Sequence, residues 1–160
     1  MKKDLQLLAQ AMLNEIEGAE FYKLAAEKAP NQESKDSLLE LAEEEMRHYS
    51  YLKSLADQIS ENKVPTLEEV NEEDSPGIFD WGKTTGVDLQ LGVSIYSVAM
   101  QMELKSMNYY LDAQKKAENE STKKLMGLLA DWEKEHFNQF EKIYESYRDM
   151  WWSDMGYSPM

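Results

Sequence analysis

Four stretches of the chain place apolar residues three and four positions apart, the spacing that lays a single stripe along a helix. The first stripe is Leu8, Met12, Glu15, Ala19, Tyr22 and Ala26, with an acid in its middle. Ala29-Pro30-Asn31 interrupts the pattern, and Asn31 suits the N-cap of a second helix. That helix carries Leu38, Leu41, Ala42, Glu45, His48, Tyr49, Leu52 and Leu55, again with ionisable groups on the apolar face. From about 60 to 85 the periodicity dissolves into a long connection. Pro65, Pro76, Gly77, Gly82 and a run of acids mark it, with Ile78, Phe79 and Trp81 as apolar anchors. Thr85 offers a cap for the third helix, with Asp88 three residues on, and the stripe continues as Leu89, Val93, Tyr96, Met100, Glu103, Met107, Tyr110 and Ala117. After a polar break at Glu118-Asn119-Glu120 the fourth stripe reads Leu125, Leu129, Trp132, Glu133, His136, Phe140 and Ile143. The pattern predicts helices over about 4–29, 31–59, 86–118 and 120–150, with an irregular aromatic tail over 151–160.

Short connections join helices one to two and three to four, so each pair is expected to form an antiparallel hairpin. The connection between the pairs, roughly 25 residues, is long for a compact domain and reads as a crossover along the bundle. The fold class is therefore all-α: one four-helix bundle of two antiparallel hairpins, spanning residues 1–160 as one domain.

Composition narrows the function. A net charge of −14 argues against nucleic acid, whose binding depends on cationic contacts to phosphate, and against anionic membrane surfaces. The absence of cysteine removes disulfides, thiol nucleophiles and cysteine-ligated iron, and fits a reducing compartment. The opening Met1-Lys2-Lys3 is followed by an apolar run broken by Gln6 and Gln10, so it reads as helix, and a cytoplasmic protein is expected.

The chemistry lies in two features. The chain has only two histidines, each three residues after a glutamate in one frame: Leu41-Ala42-x-x-Glu45-x-x-His48 and Leu129-Ala130-x-x-Glu133-x-x-His136. Residues three apart share a helix face, so each pair can present a carboxylate and an imidazole to one point. In addition, Glu15-x-x-Gly18-x-x-Phe21-Tyr22 matches Glu103-x-x-Ser106-x-x-Tyr109-Tyr110. Glu15 to Glu103, Tyr22 to Tyr110, Glu45 to Glu133 and His48 to His136 all stand 88 residues apart. Four buried carboxylates in proximity repel one another and are costly to desolvate. Two divalent cations would cancel their charge, and two neutral imidazoles would complete the shell. Mixed oxygen and nitrogen ligation suits iron, with manganese or zinc as alternative occupants.

These motifs resemble the rubrerythrin-type diiron domain of the ferritin-like superfamily. The match rests on Glu15 to Tyr22, Leu41 to Tyr49, Glu103 to Tyr110 and Leu129 to Phe137. The resemblance implies a ferritin-like bundle holding two iron ions between Glu15, Glu45, His48, Glu103, Glu133 and His136. It also implies that one or more of the carboxylates bridges the metals. Full-length rubrerythrins carry a cysteine-ligated rubredoxin module and a further helix-three glutamate. Here cysteine is absent, and Met100 and Ser106 stand three residues either side of Glu103. The six-residue set is thus closer to the symmetric sites of bacterioferritin-like proteins. The implied activity is reduction of hydrogen peroxide or dioxygen with electrons from a separate donor protein, in a homodimer. Ferrous oxidation coupled to iron handling, or a structural metal site, are the alternatives.

Tyr22 and Tyr110 lie two turns beyond their glutamates. Their rings suit core packing, and their hydroxyls can also hydrogen-bond ligand carboxylates from behind. The stripe methionines read as core filler. Glu17, Glu20, Glu43, Glu44 and Glu135 read as solvated charges. Trp151 and Trp152 read as a cap on the bundle or a dimer contact.

Overall fold

The computed structural model describes residues 2–72 and 79–156. Its four helices are α1 (Lys2–Glu27), α2 (Gln32–Ser60), α3 (Leu89–Lys116) and α4 (Glu120–Asp154). Their ends follow local chemistry. Pro30 lacks an N–H and restricts the residue before it, so α1 stops at Glu27 rather than running on to 29. Asn31 caps α2 as expected, its side chain accepting the Ser34 N–H at 2.7 Å. At the far end of α2, Asn62 adopts a left-handed φ of 58° that closes the helix.

Helix α3 begins later than the pattern predicts. Gly86 has a φ of 71°, which no right-handed helix accommodates, so Thr85 is not the cap. Asp88 takes that role and accepts the Leu91 N–H at 3.1 Å. Helix α4 runs further than the pattern predicts, through Trp151 and Trp152 to Asp154, before Gly156 ends it at a φ of 85°. Trp151 remains 40 % exposed, and Trp152 lies beneath the Arg148 guanidinium at 4.9 Å. Neither ring is buried within the chain. The anchor expected at Ile78, with Pro76 and Gly77, lies outside the described residues, as do tail residues 157–160.

The helices pair as expected, α1 with α2 and α3 with α4 in close antiparallel contact. Between the hairpins the backbones stand further apart, with α1 opposite α3 and α2 opposite α4. The crossover traverses the bundle. Near its start the Pro65 carbonyl accepts from Ser121 at the beginning of α4, at 2.9 Å. Near its end the Trp81 carbonyl accepts from Ser34 at the beginning of α2, at 2.6 Å. Consequently α3 sets off from the end where α2 began, and these two helices run parallel. Phe79 and Trp81 do anchor the crossover: Trp81 packs edge-on to Tyr96 and against Phe140. Among the described residues no helix is long and apolar enough to cross a membrane.

The core is divided into two apolar layers. One gathers Leu8, Ala11, Leu52, Leu55, Tyr110, Leu125, Leu129 and Trp132. The other gathers Tyr22, Ala26, Leu38, Leu41, Tyr96, Ala99, Phe140 and Tyr147. Each helix runs from one layer to the other, and its charged stripe residues fall between them. Gly92 admits the second layer's Tyr147, because a Cβ there would stand 2.3 Å from the ring.

One buried acid closes the bundle rather than serving its centre. Asp4 of α1, fully buried, accepts from Glu118 N at 2.8 Å and Asn119 N at 2.9 Å, in the turn between α3 and α4. The Asp4→Ala variant should lose about 1–3 kcal/mol, because two partly buried N–H groups lose their acceptor. Chemical denaturation at neutral pH measures this, and an unchanged midpoint would remove the role assigned to Asp4.

Candidate metal centre

The layer between the two apolar clusters is built from one turn of each helix. The stripe that buries Ala11 and Tyr22 must also bury Glu15, and the same geometry carries Glu103 between Ala99 and Tyr110. In α2, Leu41 and Leu52 fix the face on which Glu45 and His48 lie. In α4, Leu129 and Phe140 do so for Glu133 and His136. All six residues predicted from the sequence come together, each between 0 and 4 % exposed.

They form two overlapping groups: Glu15, Glu45, His48 and Glu133, and Glu45, Glu103, Glu133 and His136. Within each group one ligand atom per residue lies within 4.8 Å of the others. Glu45 and Glu133 belong to both groups, whereas Glu15 and Glu103 each belong to one. Each histidine turns Nδ1 towards the carboxylates. His48 Nδ1 is 3.8 Å from Glu15 Oε1, and His136 Nδ1 is 3.5 Å from Glu103 Oε1 and 3.8 Å from Glu45 Oε1.

Both tyrosines do more than pack. The Tyr110 hydroxyl donates to Glu15 Oε1 at 2.8 Å, and the Tyr22 hydroxyl donates to Glu103 Oε1. Each ring therefore serves the glutamate of the opposite hairpin, two turns from its own. Gly18, one turn after Glu15, lets Glu45 approach: a Cβ there would stand 3.1 Å from Glu45 Oε2.

The electrostatics are those of a crowded anionic layer. Burial pushes the Glu45 carboxyl well above its ordinary range, and the charges of Glu133 and Glu15 add to the effect. Burial, then the charge of Glu103, does the same to Glu133. Burial also opposes ionisation of Glu103, but neighbouring His136, followed by contacts from Glu133 and Tyr22, outweighs it and holds that carboxyl low. For His136, burial disfavours the cation while Glu103 foremost raises its affinity for a proton well above normal. Even so, an oxygen on each of Glu15, Glu45, Glu103 and Glu133 and both nitrogens of each histidine lack an aligned hydrogen-bond partner. Orphaned lone pairs of mixed oxygen and nitrogen type, facing one another in a buried layer, fit a pair of divalent cations.

One residue departs from the sequence reading. Glu44, expected to be solvated, is 2 % exposed, with Oε1 3.2 Å from His136 Nε2 and 3.7 Å from His48 Nε2. Its spacing carried the signal, since Leu41, Glu44 and His48 continue the three-four rhythm of α2. The repeat concealed it, because the position 88 residues on is Trp132. Glu17, Glu20, Glu43 and Glu135 are exposed as expected.

The sequence matches the family model described as Rubrerythrin over residues 6–144, a span that includes all six residues. The chain is also similar to a solved structure, a hypothetical protein from Pyrococcus furiosus. That likeness has 28 % identity, covers 92 % of this chain and 91 % of that one, and has a TM-score of 0.70. No curated protein matches.

Two outcomes are expected from this geometry. Glu45→Ala removes a member of both groups and should abolish binding of both cations, whereas Glu15→Ala should cost one. Metal analysis after ferrous loading distinguishes them, and two retained metals in Glu45→Ala would refute the assignment. The second outcome concerns pH in the metal-free chain. Glu45, Glu133 and His136 have raised folded values, so their contribution to stability is full below 4.5 for the carboxyls and 6.5 for the imidazole. It is lost as pH rises through the folded values. Glu103 runs the other way, contributing above 4.5 and losing that contribution as pH falls. The melting temperature of metal-free protein should therefore decline from mildly acidic to alkaline pH. The stabilisation gained on adding divalent metal should grow over the same range, because ligation requires deprotonated groups.

Proposed function

The chain belongs to the rubrerythrin family, and from that premise we propose that it is a diiron carboxylate oxidoreductase that reduces hydrogen peroxide, and dioxygen less readily, with electrons from a separate donor protein. The observation that carries this reading is the pair of overlapping four-residue groups sharing Glu45 and Glu133. Glu15 and His48 would hold one ion, Glu103 and His136 the other, and Glu45 and Glu133 would lie between them. When bound, the two iron ions supply one electron each and Lewis acidity, matching the two-electron reduction of a peroxide.

The remaining work falls to the protein. Four carboxylates balance two divalent charges, so the loaded layer tolerates burial. The Tyr22 and Tyr110 hydroxyls hold Glu103 and Glu15 from behind, limiting how far either carboxylate can swing. Burial pushes both phenols far above their ordinary range, with the neighbouring carboxylates adding to it, so they remain proton donors at neutral pH. The apolar layers above and below keep bulk water from the centre and confine an oxidant once it has entered.

With no cysteine in the chain, a thiolate-bound iron centre cannot relay the electrons. The electrons would come from a donor outside these 160 residues, and the net charge of −14 favours a basic one. A second reading, ferrous oxidation for iron handling, is favoured by one observation: Met100 and Ser106 flank Glu103, so α3 supplies no second carboxylate within a turn of it.

Anaerobic protein loaded with two equivalents of ferrous iron and mixed with peroxide or dioxygen in a stopped-flow spectrometer tests the proposal. Near-ultraviolet ferric absorbance should grow much faster with peroxide. Faster oxidation by dioxygen would favour iron handling, and two bound ions inert to both oxidants would leave a structural centre.

A further inference from the structure

The internal repeat that relates the six ligands changes character at a buried position beside the histidines. Glu44 precedes Glu45, and at the common offset Trp132 precedes Glu133. Both side chains are buried, and both lie against the histidines. Glu44 Oε1 stands at ion-pair distance from His136 Nε2, 3.2 Å, and further from His48 Nε2, 3.7 Å, with neither contact aligned as a hydrogen bond. Trp132 instead lies nearly flat on the His48 ring, with centroids 4.7 Å apart and an interplanar angle of 15°.

These two supports do different chemistry. Nδ1 of each imidazole faces the carboxylates, so the proton of a cation-bound neutral imidazole sits on Nε2. A carboxylate that accepts the Nε2 proton, as Glu44 is placed to do for a cation-bound His136, would fix that tautomer and the ring's rotation and raise the basicity of the ligating nitrogen. An indole face offers no acceptor for that proton and fixes only the plane of the ring. Glu44 also adds a negative charge to a layer whose four carboxylates already balance two divalent ions, and it adds it nearer to His136.

We infer that the two metal positions are inequivalent, with Glu44 as the positioning residue that makes the His136 position the tighter one and Trp132 leaving the His48 position the weaker. The inference rests on the reading of the six residues as ligands. It goes beyond that reading in assigning an order of filling: the group Glu45, Glu103, Glu133 and His136 takes the first ion, and Glu15, Glu45, His48 and Glu133 the second.

Anaerobic calorimetric titration of metal-depleted full chain with ferrous iron tests this, with Mössbauer spectra of iron-57-loaded protein as the second readout. The wild-type chain should show two resolved binding steps and two distinct quadrupole doublets, with one doublet dominant at one equivalent. Glu44→Gln keeps the shape and removes the charge. It should weaken the first step about 10–100-fold and draw the two doublets together, whereas Trp132→Phe, which keeps an aromatic face, should leave the first step unchanged. Two equal sites in the wild-type chain, or a first step unmoved in Glu44→Gln, would overturn the inferred order while leaving the ligand set intact. No binding of iron by the wild-type chain would overturn the ligand set as well.

Discussion

Everything in this molecule is arranged around one electrostatic problem: five carboxylates and two imidazoles share a buried layer in the middle of a helical bundle. Taking an ionised carboxylate out of water costs several kcal/mol even after relaxation. A fully buried leucine returns about 1.5–3 kcal/mol, so each acid offsets the burial of more than one apolar side chain. The two apolar layers make the arrangement tenable, because they fix the helices independently of the charged turn between them. Without cations, burial and mutual repulsion favour the protonated forms of Glu45 and Glu133, while the neighbouring His136 favours the ionised form of Glu103. The bundle is thus stable enough to hold a site that is unfavourable on its own account.

The sequence exposed this layer because charge in an apolar stripe is conspicuous. Glu15, Glu45, Glu103 and Glu133 stood out by occupying positions that burial reserves for leucine or alanine, and the common offset multiplied the signal. Glu44 escaped for a related reason. It stands in a run of three glutamates on a helix that is otherwise acidic outside, and its counterpart in the repeat is an indole. Helix centres were legible from periodicity, whereas helix ends depended on single backbone angles. Gly86 and Gly156 set those angles, and nothing in a stripe of apolar residues reveals a left-handed φ. The tether from Asp4 to the turn between α3 and α4 joins residues distant in the chain, and no local pattern encodes it.

Near-symmetry and its failure at Glu44 and Trp132 belong together. Two hairpins with matching ligands readily build a centre, but an even centre gives a substrate no preferred approach. With glutamate at 44 and tryptophan at 132, every ligand is matched and only the environment beside the two histidines differs. A duplicated scaffold can diversify in this way with no change in its metal stoichiometry.

The crossover also sets the order in which the molecule can assemble. Each hairpin is made of contacts close in the chain and can form early, with little loop-closure cost. Neither hairpin alone holds a complete group of four, since Glu133 is needed by the first and Glu45 by the second. Cations captured during docking would therefore act as rivets between two preformed halves. The strap from Pro65 to Trp81, tied at both ends of the bundle, leaves the second half little choice of the direction in which it lands.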